Sequence, residues 1–511
     1  MLRRRRLTET IHYLATSHAG AATVGAPGKP WLDGIGLAKL VRATIARLNS
    51  HGIGRGDRVA IVLPNGPTAA TAFIVIAAMA AAAPLNPDYT DAEFEFYLTD
   101  LRPRAVVVAA GVASSVRGVA ARLAIPLIEL TETAPAGVFI LDCTALPQTS
   151  PVRPGPAEPD DEALVLHTSG TTARPKIVPL TGRNLTASAR NIATSLDLTV
   201  NDTCLNVMPL FHIHGLVAAT LASLAAGAGV CCTPGFNAFR FATWLHEVRP
   251  SWYTAVPTMH QAILMRVRGE AAAMRAARLR FIRSSSASLP PQVMTELEDV
   301  FAAPVIEAYG MTEAAHQMAA NPLPPRARKP GSVGLPAGPE IAIMNEAGVV
   351  LDQGSIGEVV IRGPNVTRGY AGNPEATARA FTNGWFRTGD EGRLDADGYL
   401  HLTGRIKEMI NRGGEKISPL EIDVALLDHP GVAEACTFAL PHAKLGEEIA
   451  AIVVPRPGTT LTVQDVRDFA AARLAPFKVP RQILIMEAIP KGATGKVQRI
   501  GLAQRLGLVT A

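Results

Sequence analysis

LVLHTSGTTARPKIVPLT, residues 164–181, decides how the chain is read. An apolar run breaks into a loop of small residues, Thr168, Ser169, Gly170, Thr171 and Thr172, and Lys176 follows. Short hydroxyl side chains and a glycine backbone let N–H and O–H groups converge on phosphate oxygens, and a lysine adds charge. The second glycine and the Lys-Ser/Thr pair of a Walker A loop are missing. That departure points away from kinases and other NTPases, toward attack at the α-phosphate of ATP with the remaining two phosphates leaving together.

Outward from this loop, strand-like apolar runs alternate with helical patterns up to about residue 400. RVAIVLP (58–64), RAVVVAA (104–110), ALVLHTS (163–169) and RFIRSSSAS (280–288) are separated by alanine-rich stretches such as 185–196 and 216–226. Such alternation predicts an α/β architecture with largely parallel sheets. Near Pro330 the texture changes to short strands with Gly/Pro/Asn turns, PGSVGLPAGPEIAIMNEAGVV and GEVVIRGPNVTRGY, which predicts a β-rich subdomain. After HLTGR (401–405) comes a unit of about a hundred residues with its own strands, ACTFALP and IAAIVVP, and a helix, VQDVRDFAAARL. The expected fold is therefore a large N-terminal domain, 1–404, of α/β subdomains plus a β-rich subdomain, followed by a small α+β domain, 405–511.

Composition fits this reading. At 511 residues the chain exceeds a single core, and 48% hydrophobic with 18% charged residues suits a globular protein. A net charge of +5, from 49 basic and 44 acidic residues, gives no case for nucleic acid, and Arg3–Arg6 reads as a frayed terminus. Cys143, Cys204, Cys231, Cys232 and Cys436 form no C-x-x-C pair and no zinc spacing, so they read as buried reduced thiols of a cytoplasmic protein. AATAFIVIAAMAAAAPL, residues 69–85, is short and ends at a proline, so a buried helix is expected rather than a membrane span. The arginine-rich start has no following apolar region of a secretory signal, and the C-terminus lacks a peroxisomal SKL.

Four further segments carry chemistry. In EAYGMTEAAHQM (307–318), Tyr309 can stack on a purine, Thr312 can bond a phosphate oxygen, and Glu313 can bind Mg²⁺, a cation that prefers carboxylate and phosphate oxygens. The alternative there is a surface helix capped by Thr312. In GWFRTGDEG (384–392), Asp390 can accept both hydroxyls of a ribose, or sit in an ordinary turn. GRIKEMINRGGEKISPLEID (404–423) joins Arg405 to the pair Gly413-Gly414, which permits close approach of a ligand or merely a tight turn. IPKGATGKVQR (489–499) is a glycine-rich loop ending in Lys496.

In their order, TSGTT with Lys176, YGMTE, GWFRTGD, GRIKE with GGEKI, and PKGATGK, these segments resemble the acyl-adenylate-forming superfamily of acyl-CoA synthetases, peptide-synthetase adenylation domains and firefly luciferase. The resemblance covers nearly the whole chain. Ala173 and Ile177 stand where the family usually has glycines, and Thr494 replaces the usual serine before Gly495-Lys496 while keeping the hydroxyl. The resemblance implies an acid–thiol ligase using ATP, Mg²⁺ and coenzyme A, in which a small carboxylic acid is adenylated and then passed to a thiol. It implies that Thr168–Thr172 and Lys176 hold the phosphates, that Tyr309 packs on adenine, and that Thr312 contacts the α-phosphate. Glu313 would bind Mg²⁺, and Asp390 and Arg405 the ribose. It further implies that Lys407 is a hinge for a mobile C-terminal domain, that Lys496 is the adenylation lysine, and that Gly413-Gly414 lie near the pantetheine channel.

Within the family, PLFHIHG (209–215), WYTAVPTMHQAIL (252–264), RFIRSSSASLP (280–290), EAYGMTEAAHQM and NPLPPRARKPGSVG (321–334) are similar to oxalyl-CoA synthetases. That likeness implies His212, Ser286 and His316 as the lining of the acid pocket. The second carboxylate of oxalate needs buried polar partners, because an unpaired buried charge is very costly. Medium-chain or aryl acids, and a carrier protein in place of free CoA, remain the alternatives. A non-catalytic nucleotide-binding regulator is disfavoured because Lys176, Glu313, Asp390 and Lys496 are all present.

Overall fold

The computed structural model describes residues 8–17, 22–168, 175–490 and 497–509. They separate into two compact units. One gathers the described residues up to 168 with 175–341 and 361–386, and the other gathers 342–360 with the described residues from 387 onward.

The first unit holds two large sheets. The seven-stranded sheet runs in the order Val138–Asp142, Leu127–Thr133, Ala105–Ala109, Arg58–Val62, Ala81–Pro84, Glu162–Thr168, Lys176–Thr181. The interior strands from Leu127–Thr133 to Glu162–Thr168 are parallel, and each edge strand is antiparallel to its neighbour. The nine-stranded sheet runs Leu335–Pro336, His316–Ala320, Val305–Met311, Phe281–Ser285, Trp252–Ala255, Thr203–Asn206, Gly229–Cys232, Ala22–Gly25, Leu32–Asp33. The expected α/β alternation is thus realised twice.

The alanine-rich run 69–85 is not one helix. The helix Pro67–Ala77 has proline in its first turn, and the chain then turns into the strand Ala81–Pro84. Alanine carries no pattern that separates the two states. What separates them is position: the strand lies between Arg58–Val62 and Glu162–Thr168, and Ala81, Ala82 and Ala83 are fully buried. A central parallel strand covered on both faces reads as a continuous apolar run. Phe73, Ile74 and Ile76 from the helix lie in the main core, each contributing about 1.5–3 kcal/mol by burial. Among the described residues no helix is long and apolar enough to cross a membrane.

The β-rich texture after Pro330 becomes strands Glu340–Met344, Gly357–Arg362, Phe381–Thr382, Trp385–Leu394 and Leu400–Arg405. The C-terminal part of the second unit is α+β. Strands Ile410–Arg412, Glu415–Ile417, Val432–His442, Gly446–Pro455 and Gln482–Ile485 form one sheet, with helices Pro419–Leu427 and Val463–Ala471. Ile410, Ile422, Leu426, Ile449 and Val466 build its core. All five cysteines are buried free thiols, and burial pushes those of Cys232 and Cys436 up to about 12.

Candidate active site

Parallel sheets present their strand C-termini to ligands, because the loops that follow diverge there and leave a crevice. The residues singled out in the first unit gather at such ends. Thr168 closes the strand Glu162–Thr168, Ser286 follows Phe281–Ser285, and Tyr309 to Glu313 close Val305–Met311.

Thr168 and Lys176 are register partners across an antiparallel pair. The two ends of the segment expected to cradle phosphate thus stand opposite each other. Ser169, Gly170, Thr171, Thr172 and Lys496 lie outside the described residues, as do Ala173 and Thr494.

The segment 307–318 is not a capped surface helix. Val305–Met311 ends in a one-turn 3₁₀ helix, Thr312–Ala314, and the chain returns antiparallel as His316–Ala320. The alanines that suggest a helix are buried against the sheet instead. The two strands cross so closely at Gly310 that a Cβ there would stand 1.9 Å from the His316 carbonyl oxygen, which is why glycine follows Tyr309. Glu313 is 6% exposed and Tyr309 9%, so neither is an ordinary surface residue. Thr312 is half-buried.

Segment 365–371 ties this turn to the strand Lys176–Thr181. Asn365 Nδ2 donates to the Ala314 and Gln317 carbonyls at 2.9 and 3.1 Å, and the Thr367 N–H donates to the Glu313 carbonyl at 2.7 Å. The Tyr370 hydroxyl donates to Glu313 Oε1 at 3.0 Å, and the Lys176 ammonium sits 4.5 Å from the Tyr370 ring centroid. Burial, reinforced by the Glu313 charge, pushes the Tyr370 phenol well above its ordinary range, so it stays a donor. Lys176 and Glu313, far apart in sequence, thus meet through a tyrosine that sequence reasoning passed over. Glu307, buried two residues before Tyr309, is pushed up to about 7 by desolvation, against the opposing Leu289 N–H.

The histidine seated against Ser286 is His214, two residues beyond the one singled out. His214 Nδ1 lies 3.0 Å from Ser286 Oγ and its Nε2 lies 2.6 Å from Thr254 Oγ1. His316 packs against it with ring centroids 5.0 Å apart. His214 and His316 are both 2% exposed, whereas His212 is half-buried and packs on Phe211 with centroids 4.6 Å apart. His214 opens a π-helix, His214–Leu221, a rare wide turn frequent at functional sites. Ser286 and His316 have φ of 74° and 102°, a left-handed backbone rare for side-chain-bearing residues. Arg283, fully buried as the register partner of Thr254 in the neighbouring strand, has no sequence signal that sets it apart from a surface charge, and only the sheet places it inside.

In the second unit, Asp390 lies in the strand Trp385–Leu394 rather than in a plain turn, with Arg405 as its register partner in Leu400–Arg405. Arg405 Nε is 3.1 Å from Asp390 Oδ1; the carboxylate side chain is 6% exposed and the guanidinium 45%. Lys407 lies in the exposed 3₁₀ turn Ile406–Glu408 that follows. Gly413 and Gly414, with φ of 60° and 95°, form the two-residue turn between Ile410–Arg412 and Glu415–Ile417. Positive φ at both positions is what a tight hairpin of right-handed twist demands.

No cluster of three or more metal-ligating side chains occurs among the described residues. A single buried carboxylate at Glu313 suits Mg²⁺, which takes one or two carboxylates and completes its shell with water and substrate phosphates.

Comparison with known proteins gives the family. Residues 17–371 match the family model described as AMP-binding enzyme, and residues 421–496 match the AMP-binding enzyme C-terminal domain. The chain is 46% identical to an oxalate–CoA ligase of Arabidopsis thaliana, covering 98% of both chains. It is 41% identical to an oxalate–CoA ligase of Saccharomyces cerevisiae, covering 88% of this chain and 87% of that one. The crystal structure of ATP-bound MatB from Rhodopseudomonas palustris superposes with a TM-score of 0.86 at 27% identity, covering 97% of this chain and 98% of that one. The chain belongs to the AMP-binding enzyme family and is a ligase of the AMP-forming acyl-CoA synthetase class.

Proposed function

We propose that the enzyme is an oxalate–CoA ligase of the cytoplasm. The observation that carries this reading is the polar cluster of buried His214, Thr254 and His316 with half-buried Ser286, where a long-chain or aryl acid would need an apolar tunnel. The full-length similarity to oxalate–CoA ligases supports it.

In the first step one carboxylate oxygen of the acid attacks the α-phosphorus of ATP, a P–O–P bond breaks, and pyrophosphate leaves. In the second step the sulfur of CoA attacks the acyl carbon, the C–O bond to AMP breaks, and the thiol proton passes to solvent. Substrate carboxylate and triphosphate repel each other, so positioning and charge neutralisation are the main tasks. Residues Thr168 to Thr172 and Lys176 hold the phosphates, Thr312 contacts the α-phosphate, and Tyr309 packs on adenine. Asp390 and Arg405 hold the ribose. Glu313, oriented by Tyr370, would hold Mg²⁺, which supplies neutralising charge to the phosphates when bound. Residues 1–404 act as the adenylation domain and 405–511 as the domain that changes position at Lys407, bringing Lys496 for the first step and Gly413-Gly414 for the second.

The deciding experiment is AMP formation from MgATP and CoA across oxalate, malonate, acetate, octanoate, benzoate and 4-coumarate. Selective turnover of oxalate is expected. Turnover of apolar acids alone would keep the ligase class and refute the acid assignment. Activity only with a phosphopantetheinyl carrier would move the acceptor from free CoA to a protein. His316→Ala should lower kcat/KM for oxalate about tenfold or more, as loss of a hydrogen bond to a charged group does, while the KM for ATP changes less than twofold. Equal effects on both substrates would remove His316 from the pocket. Tyr370→Phe should raise the Mg²⁺ requirement of AMP formation about tenfold, the usual consequence of losing a partner that orients a metal-binding carboxylate. An unchanged Mg²⁺ titration would take Glu313 out of the metal site.

A further inference from the structure

A fully buried arginine stands behind the acid pocket. Arg283 occupies the middle of the strand Phe281–Ser285, which pairs in parallel with Trp252–Ala255 on one side and Val305–Met311 on the other. It is 0% exposed, and burial lowers its guanidinium to about 10, so it remains charged at neutral pH. A buried cation is costly without partners. Those described for Arg283 are neutral: Nη2 donates to Gln317 Oε1 at 3.2 Å and Nη1 faces His214 Nε2 at 3.4 Å. Its Nε bonds to nothing among the described residues. A charge kept at such cost invites a role.

The surrounding bonds have one consistent direction. Gln317 Nε2 donates to the Ala337 carbonyl at 3.1 Å and to Ser195 Oγ at 3.0 Å. A carbonyl only accepts, so the amide nitrogen faces it and the amide oxygen is left for Arg283. A guanidinium only donates, so its 3.4 Å contact with His214 Nε2 is a hydrogen bond when that nitrogen is bare and accepting. Thr254 Oγ1, 2.6 Å from the same nitrogen, then donates as well. With Nε2 bare, the imidazole proton sits on Nδ1 and is donated to Ser286 Oγ at 3.0 Å. A hydroxyl that accepts from the imidazole keeps its own proton for another acceptor.

We propose that Arg283 is a positioning residue for acid specificity: it holds His214 neutral with its proton on Nδ1, and so keeps the Ser286 hydroxyl a donor to a substrate carboxylate. This rests on the acid-pocket assignment made above. Among the groups that face His214 are Arg283 and Ser286 from the central strand and its end, neutral Thr254 from Trp252–Ala255, and His316 from His316–Ala320. Protonation of His214 at Nε2 would set two donors, and two positive charges, against each other. It would also end acceptance from Thr254.

The test is ¹⁵N NMR of the histidine-labelled full-length enzyme, with the His214 signals assigned by their loss in His214→Gln, alongside kinetics of Arg283→Met and Arg283→Lys. The expected spectrum of the unaltered enzyme shows His214 protonated at Nδ1 and bare at Nε2. In Arg283→Met the Nε2-protonated or doubly protonated form should appear. The kcat/KM for oxalate should fall about ten- to hundredfold, the KM for ATP should stay within twofold, and Arg283→Lys should recover part of the loss. An Nε2-protonated His214 in the unaltered enzyme overturns the proposal without any variant having to fold. So does an Arg283→Met enzyme with unchanged tautomer and equal losses for both substrates. If the unaltered enzyme ignores oxalate but its His214 spectrum shifts in Arg283→Met as described, the acid assignment fails and the positioning role stands.

Discussion

Lys496→Ala should cut adenylation roughly a hundredfold or more, yet leave thioester formation from a supplied acyl-adenylate and CoA near its normal rate. The reasoning is electrostatic. In the first half-reaction negative charge builds on the α-phosphoryl group while a carboxylate, itself negative, approaches it. A preorganised cation at that point is worth at least about 3 kcal/mol by analogy with the loss of a single oxyanion donor. In the second half-reaction charge also builds on the departing AMP phosphate, but in the two-state reading the C-terminal domain has by then turned at Lys407 and carried Lys496 away from it. Pyrophosphate release under single-turnover conditions reads the first half-reaction, and AMP release from the supplied adenylate reads the second. Equal losses in both would mean that one arrangement of the C-terminal domain serves both steps, and the hinge assignment at Lys407 would go with it.

Asp390→Asn should lower kcat/KM for ATP by about a hundredfold. A carboxylate that accepts from both ribose hydroxyls makes two charge-assisted bonds, each worth about 1.5–3 kcal/mol. The substitution keeps the shape of a side chain that packs in a sheet, so the loss reads the charge and not a collapse. It also separates Arg405 from its ionic partner, but that guanidinium side chain is 45% exposed and water replaces much of the interaction. The check is a comparison of ATP with its 2′-deoxy and 3′-deoxy analogues. The unaltered enzyme should discriminate strongly against both, and the variant weakly. If the two proteins discriminate alike, Asp390 does not hold the ribose.

Much of the fold was legible because its signals are local. Apolar runs alternating with helical segments gave the two parallel sheets, and the Gly/Pro texture after Pro330 gave the short strands that follow. Misreadings cluster where alanine dominates. Residues 81–84 and 316–320 form strands although their composition suits a helix, since burial between neighbouring strands, not propensity, decides them. The π-helix at His214 has no sequence signature, and without it the neighbouring His212 looks equally placed. Of the motif residues, Tyr309, Glu313 and Asp390 are buried, and Asp390 is paired with Arg405. Tyr370 and Arg283 were illegible for another reason: each acquires meaning only from a partner far along the chain, Lys176 and Glu313 for the one, His214 and Gln317 for the other.

The left-handed backbones at Ser286 and His316 carry an evolutionary cost. A side chain in that region costs of order 1–3 kcal/mol, which glycine would largely avoid. A screen that rewards heat resistance alone would therefore favour glycine at both positions and strip the hydroxyl and the imidazole from the pocket proposed for the acid. Robustness and substrate choice pull in opposite directions at these two codons. A campaign to harden this enzyme should hold them fixed, and one to broaden its acid range should begin there.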